Sequence, residues 1–218
     1  VNIQKKKLNK KKIIWISKID KIEKIPTIFI ANEFFDSLAI KQFKKNNNLW
    51  FEKFIKFESK KKFFYFEKET NIKKFEKKIN FKISKNQDFI EFSEMGLNYL
   101  AKISKFIKKN SGGLLLIDYG YTDKKMKNTL QAISNHKFAN ILDDIGNVDI
   151  THNISFELFR KFTDQIGGLK NNITTQKKFL TKMGIKQRAE IISQNLNFLK
   201  KADIYYRLNR LIDEKQMG

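Results

Sequence analysis

The stretch from Lys108 to Gly120, KKNSGGLLLIDYG, constrains the fold of this chain more than any other. Just upstream, Phe92, Tyr99, Leu100, Ile103, Phe106 and Ile107 recur at helical spacing. Asn110-Ser111-Gly112-Gly113 ends that pattern, and the wholly apolar LLLI follows at once. A helix, a glycine-containing turn and a short apolar strand form the αβ half of a parallel-sheet unit, because a strand covered on both faces needs apolar residues at every position. The chain is therefore expected to be α/β. In open α/β sheets ligands gather beyond the carboxyl ends of the strands, so the residues following each apolar run carry the functional question.

Two other apolar runs, KIIWIS (residues 12–17) and TIFIANEFF (residues 27–35), read as buried strands joined by a polar connection that holds Pro26, the single proline. Residues 50–66, WFEKFIKFESKKKFFYF, alternate apolar and charged side chains around a polar centre, the pattern of a half-exposed hairpin. The aromatic and polar residues 75–81 are expected to extend that subsidiary sheet. SFELFRKFTDQIGG reads as a helix with Ser155 as N-cap and Gly167-Gly168 as its stop, and residues 175–212 as two or three helices. The expected organisation is a single domain over residues 1–218, with a β-rich insertion at about 48–85 and a mainly helical part at about 170–218.

The formal charge of +22, from 45 basic and 23 acidic side chains, invites a nucleic-acid reading. Only four of those 45 are arginine (Arg160, Arg188, Arg207, Arg210), although bidentate phosphate and base recognition favours the guanidinium. The lysines are mixed with Asn, Ile and Phe, residues with AT-rich codons, so a solvated lysine surface is the expectation and nucleic acid is not the expected partner. With no cysteine, disulfides, thiolate metal sites and Cys nucleophiles are excluded. The two histidines fall at no HxxxH or HxH spacing, and no metal is expected. No apolar run approaches the ~20 residues of a membrane span and no secretory signal opens the chain, so no membrane insertion is expected. A first residue Val1 and a last segment IDEKQMG that follows a helical pattern predict a piece of a longer protein.

Three polar clusters could carry chemistry. After TIFIA come Asn32, Glu33 and Asp36, an amide and two carboxylates able to orient an amine or cation, or equally a cap and two solvated acids at the start of a turn. After LLLI come Asp118, Tyr119 and Gly120: an acid to orient a group, a phenol to stack or donate, and a glycine for a tight turn, which is also an ordinary strand-to-loop composition. The third spans Asn128–His136 and Leu142–Phe156 and concentrates Gln131, His136, His152, Asp143, Asp144 and Asp149. Either histidine could be a general base, and either could be a hydrogen-bonded structural group. No Walker loop, GxSxG elbow or GxGxxG turn is present.

In order along the chain, IANEFFDSLAIKQF (Ile30–Phe43), the aromatic hairpin from Trp50, GGLLLIDYGY (Gly112–Tyr121), TLQAISNHKF (Thr129–Phe138), LDDIGNVDIT (Leu142–Thr151) and TQKKFLTKMGIKQR (Thr175–Arg188) resemble the MidA-type S-adenosylmethionine-dependent methyltransferases. That family includes the mitochondrial complex I assembly-factor methyltransferase. The resemblance implies a Rossmann-like class I methyltransferase fold with an incomplete sheet and a small β-hairpin insertion after the fourth strand. KIIWIS would be the third strand, TIFIANEFF the fourth and LLLIDYG the fifth, with the glycine-rich cofactor loop upstream of Val1.

It also implies S-adenosyl-L-methionine as cofactor and N-methylation of arginine on a protein partner such as a complex I subunit, in the mitochondrial matrix of a eukaryote or the cytoplasm of a bacterium. Glu33 and Asp36 would clamp the guanidinium, Asp118 and Tyr119 would form the opposite wall, and Gln131, His136 and Asp149 would complete the catalytic pocket. Asn32 and Trp15 would lie on the cofactor side. His152 and Asn153 stand where the family has alanine and histidine after DIT, so His152 does not inherit the family histidine's role, and Ile145-Gly146 replaces a proline-glycine. A non-catalytic assembly protein that keeps the fold is the alternative, with a lysine-rich nucleic-acid binder behind it.

Overall fold

A computed structural model describes residues 2–8, 12–58, 62–134, 137–143 and 146–218. In chain order its elements are α1 (Asn2–Lys7), a single 3-10 turn (Ile19–Lys21), β1 (Thr27–Asn32), β2 (Lys41–Asn46), β3 (Leu49–Glu58), β4 (Lys62–Thr70), α2 (Ile72–Ile79), β5 (Phe89–Phe92) and α3 (Glu94–Asn110). There follow β6 (Gly112–Ile117), β7 (Gly120–Tyr121), β8 (Gln131–Ser134), β9 (Lys137–Ala139), β10 (Asp149–Thr151), β11 (Ile154–Ser155), α4 (Phe156–Gly167), α5 (Gln176–Lys182), α6 (Ile185–Ser193) and α7 (Phe198–Ile212). The chain divides into two compact units, one ending at Leu169 and one from Lys170 to Gly218.

The first unit is organised by the expected αβ element. Ser93 caps α3 by accepting the Gly96 amide at 3.0 Å, and the helix buries Leu97, Leu100, Ile103 and Ile107. Ser111 turns the chain at φ 67°, and β6 then pairs in parallel with β1, from Thr27 opposite Gly112 to Asn32 opposite Ile117. One face of this pair looks into the core: Phe29 meets Phe106 of α3 edge-on at 5.4 Å, and Ala31, Leu114 and Leu116 pack on the central cluster. The turn works only because residue 112 is glycine. Its φ is +122°, and a Cβ there would lie 1.9 Å from the Thr27 carbonyl oxygen.

Two expectations fail in this region. Both apolar runs before residue 35 were expected to be buried strands, yet Ile28 and Ile30 on the other face of β1 are 75% and 70% exposed. Residues 12–17 form no strand, and Ile14 is 87% exposed. The composition suits a strand, but a strand needs a hydrogen-bonding neighbour, and no described strand lies beside this segment.

The subsidiary sheet is antiparallel, in the order β4-β3-β2-β5. The hairpin read at residues 50–66 is present and continues to Thr70, with Phe54 stacked on Phe66 at 5.3 Å and Phe57 tilted on Phe63 at 5.1 Å across the strands. Phe43, Trp50, Ile90 and Phe92 bury its inner face. The expectation that residues 75–81 extend this sheet is corrected: α2 lies there. Asn71 caps α2 by accepting the Lys73 amide, Asn80 ends it in the left-handed region at φ 51°, and Ile72, Phe75 and Ile79 share the stripe that meets the core. Phe75 packs edge-on against Phe43 at 5.0 Å. Helical spacing thus outweighs aromatic content in this short segment.

Ser155 caps α4 as expected, accepting the Leu158 amide, and Gly168 closes the helix at φ 60°. Helices α3 and α4 approach closely where Gly167 faces Ser104, since a Cβ on Gly167 would lie 2.9 Å from the Ser104 Cβ. The second unit holds three helices where two or three are expected, with Thr175 and Asn197 capping α5 and α7. The Gln176 side-chain amide donates to the Leu211 carbonyl at 3.0 Å, tying α5 to α7.

Gly112→Ala is expected to destabilise the protein by more than about 3 kcal/mol, because the new methyl displaces β1 at its first residue and leaves an L side chain at positive φ. Gly113→Ala, with open space around its Cβ, should change stability by less than about 1 kcal/mol. Urea unfolding of the two variants side by side checks this, and equal effects would contradict the close-approach argument.

Candidate functional site at the strand ends

Parallel register brings the ends of β1 and β6 side by side, and the Glu33 amide continues the ladder by donating to the Ile117 carbonyl at 2.9 Å. The chain leaving β1 then turns sharply, with Glu33 held at φ 44°, an uncommon conformation for a side chain of this kind. The Asp118 carboxylate holds that turn. Its Oδ2 accepts the backbone amides of Phe35 at 3.0 Å and Asp36 at 3.3 Å, while Oδ1 accepts the Tyr119 amide at 2.9 Å. Phe35 anchors the turn from below, almost fully buried, with Phe34 at 5.1 Å and Phe159 at 5.2 Å, both edge-on.

Asp36 follows and is also buried, at 7% exposure, with no hydrogen-bond partner for its Oδ1. Its carbonyl accepts the His152 amide at 3.3 Å, and the buried His152 ring likewise has no partner for Nε2. A carboxylate and an imidazole, each with an unsatisfied buried atom, therefore sit on residues joined by a backbone hydrogen bond. Burial first, and the neighbouring Asp36 charge second, push the Asp118 carboxyl above its ordinary range, against the opposing pull of the Phe35, Tyr119 and Asp36 amides.

The DYG ending acquires a physical explanation. Asp118 ties two strands together, Tyr119 is half exposed, and Gly120 lets β11 lie against β7, since a Cβ at residue 120 would fall 2.3 Å from the Ile154 carbonyl oxygen. The Ile154 amide donates to the Tyr119 carbonyl at 2.8 Å and opens that parallel pairing.

Asn32, Glu33, Asp36, Asp118 and Tyr119 are thus brought together at the expected place. Asn32 and Glu33 are exposed, whereas Asp36 is not. Gln131 and Asp149 lie on a separate sheet, ordered β10-β8-β9, where Gln131 donates to the Thr151 hydroxyl at 3.3 Å and Asp149 is exposed. Its strand β10 leads directly into His152. Trp15 stands in the irregular segment before β1, 40% exposed. His136 lies outside the described residues.

Sequence reasoning passed over two groups. It weighed His152 as a general base or a structural group but left it out of the pocket that the resemblance implies, yet His152 is the histidine whose backbone is bonded to that of Asp36. It also overlooked Glu91, which sits in the buried strand FIEF and accepts from Gln42 Nε2 at 2.6 Å, from the Thr129 amide at 3.2 Å and from the Thr129 hydroxyl. Thr129 in turn accepts the Asn153 amide at 2.9 Å, so Glu91 pins both loops of the third polar cluster. No residue spacing signals either group, because their partners are more than 35 residues away. A cleft of about 300 Å³ adjoins this network, lined by Gln42, Phe43, Lys44, Lys53, Glu67, Phe89 and Asn128; of the three polar clusters only the third reaches it, through Asn128. Among the described residues no group of three His, Cys, Asp or Glu could hold a metal ion, and no helix is long and apolar enough to cross a membrane.

A family model described as "Putative S-adenosyl-L-methionine-dependent methyltransferase" matches residues 1–175. Among curated relatives, the protein arginine methyltransferase NDUFAF7 of Danio rerio mitochondria is 26% identical over 207 residues, covering 94% of this chain and 48% of the relative. The human protein of the same name is 24% identical over 215 residues, covering 94% and 46%. The chain spans about half the length of the curated relatives it matches. A Burkholderia thailandensis protein solved with S-adenosyl-homocysteine bound shares the fold with a TM-score of 0.71 at 18% identity, over 94% of this chain and 54% of that one. The chain belongs to this S-adenosyl-L-methionine-dependent methyltransferase family, and its fold is the Rossmann-like α/β fold with an incomplete sheet.

Asp118→Asn keeps an oxygen for the Phe35 and Asp36 amides but removes the charge. A carboxyl whose folded pKa is raised contributes most at low pH, and that contribution is lost as pH rises through the raised value. The stability of Asp118→Asn relative to the parent is therefore expected to rise between about pH 3 and pH 7. Urea midpoints across that range check the sign, and a difference that falls with pH would contradict it.

Proposed function

We propose that this chain forms the acceptor side of an S-adenosyl-L-methionine-dependent methyltransferase that N-methylates arginine on a protein partner, in support of respiratory complex I assembly. The observation that carries the reading is the cluster of three carboxyl side chains, Glu33, Asp36 and Asp118, at the ends of two adjacent parallel strands. A guanidinium is planar and always charged, and paired carboxylates attract it and orient its nitrogens. The names of the relatives, which specify arginine, agree with that chemistry.

Within the cluster the groups divide their work by exposure. Glu33, exposed on a turn fixed by Asp118, is the carboxylate that meets the guanidinium. Asp36, buried behind it, and Asp118, half-buried beside it, supply negative potential in a setting where water screens it less than in bulk solvent. His152, buried beside Asp36, is suited to take the proton that the guanidinium must lose. Tyr119, half exposed at the next strand end, is the wall against which a planar group can stack.

Asn32 suits the amino-acid end of the cofactor: it is an exposed amide at the carboxyl end of β1, able by itself to accept from an ammonium and to donate to a carboxylate. When bound, the cofactor supplies an electrophilic methyl group on a sulfonium. The protein's part is then positioning, by holding the nitrogen in line, rather than strong acid-base catalysis. Trp15, Gln131, Asp149 and His136 complete the proposed surroundings. A mitochondrial matrix location follows from the same reading in a eukaryote, and a cytoplasmic one in a bacterium.

Glu33→Gln in the intact protein is expected to lower transfer of labelled methyl to an arginine peptide by about 10- to 100-fold, the worth of one charge-assisted hydrogen bond. Calorimetric affinity for the cofactor should stay within about threefold, a change under 1 kcal/mol. Unchanged turnover, or equal transfer to a peptide whose arginine is replaced by lysine, would count against the reading.

A further inference from the structure

The cleft of about 300 Å³ beside the Glu91 network has no part in the chemistry placed at the strand ends. Its floor is the outer face of the four-stranded sheet. Phe43 is fully buried in the core, so strand alternation puts Gln42 and Lys44 on the opposite face, with Phe89 across from Lys44 and Lys53 across from Glu67. Asn128 lines it from the loop before β8. Gln42 is 5% exposed, and its amide has one possible orientation. A carboxylate only accepts, so the atom 2.6 Å from Glu91 Oε2 is the nitrogen. The same nitrogen donates to Asn128 Oδ1 at 2.8 Å, which orients the Asn128 amide in turn. That leaves Gln42 Oε1 as an acceptor and Asn128 Nδ2 as a donor, neither with a partner among the described residues. Lys44, Lys53 and Glu67 make no ion pair among the described residues, and Lys53 Nζ rests 3.9 Å from the centre of the Tyr65 ring.

We propose that this cleft binds an extended acidic peptide segment of the protein that accepts the methyl group, as a recruiting site for that acceptor. The proposal rests on the reading of the acceptor as a protein. One fixed acceptor and one fixed donor, Gln42 Oε1 and Asn128 Nδ2, complement the N–H and C=O that an extended backbone presents. Two uncommitted ammonium groups against one carboxylate select acidic side chains, and the Phe89 ring supplies an apolar wall for their methylenes. Nucleic acid fits less well, since Glu67 would face its phosphates and no guanidinium lines the cleft. The cleft is also tied to the strand ends by hydrogen bonds. Asn128 precedes Thr129, whose hydroxyl accepts the Asn153 amide, and the adjoining His152 amide donates to the Asp36 carbonyl.

The test measures fluorescence anisotropy of the 218-residue chain with a labelled octapeptide of alternating glutamate and serine. Parallel titrations use its glutamine-for-glutamate version and an oligothymidylate of equal charge. The glutamate peptide is expected to bind about tenfold more tightly than the glutamine one. Lys44→Gln and Lys53→Gln should each weaken it by about fivefold, and Asn128→Ala, which changes no charge, by about threefold or more. Lys44 is exposed and unpaired, so Lys44→Gln should leave the unfolding midpoint unchanged, and its loss of binding is then no loss of fold. Lys105→Gln, at an exposed lysine of α3, should leave binding unchanged. Absence of binding, equal weakening by Lys105→Gln, or no effect of Asn128→Ala would overturn the proposal. So would oligothymidylate that binds as tightly and is lost in the same variants. Peptide binding with these responses, in a protein that transfers no methyl to arginine, supports the cleft and counts only against the acceptor chemistry.

Discussion

The Asp118 carboxylate, accepting the amides of Phe35 and Asp36, is the interaction on which the working end of this protein depends. Parallel pairing alone brings β1 and β6 to the same level, but it leaves the chain beyond each strand free to diverge. The carboxylate joins them, orders a turn that carries Glu33 at positive φ, and drives Phe35 into the core. Holding a charged group there is costly, since burial and the Asp36 charge both oppose its ionisation. The three backbone amides are what make that cost tolerable.

A strained turn stabilised by a half-buried acid is a foundation for a site that must hold its geometry before a substrate arrives. The arrangement is also layered from behind. Phe35 sits between Phe34 and Phe159, so α4 supports the turn, while Glu91 pins Thr129 and, through it, Asn153. Residues without any catalytic signature in their own right thus set where the exposed ones stand.

The parts that were legible in the sequence have local physical causes. Ser93 and Ser155 cap helices through their own hydroxyls, Gly168 ends one in the left-handed region, and the α3-turn-β6 unit is written within some twenty consecutive residues. The polar ends of the two strands, Asn32-Glu33 and Asp118-Tyr119, were locatable because apolar runs stop there. The misreadings have equally specific causes. Residues 75–81 were read by their aromatics, whereas the Asn71 cap and the stripe of Ile72, Phe75 and Ile79 decide for a helix. Residues 12–17 have a strand's composition without a strand's neighbour.

By itself, then, the sequence determined the fold class, the ends of α3 and α4, the family and the places where polar groups end apolar strands, because caps, glycines and apolar periodicity act over a few residues. Only the tertiary structure decided which of those polar groups meet. Asp36 proved to be buried and His152 to be its neighbour, while Gln131 proved to belong to another sheet. It also decided that one face of the central strand pair is bare. These outcomes depend on contacts between residues dozens of positions apart, and on which neighbours are there to pair, which no local pattern encodes.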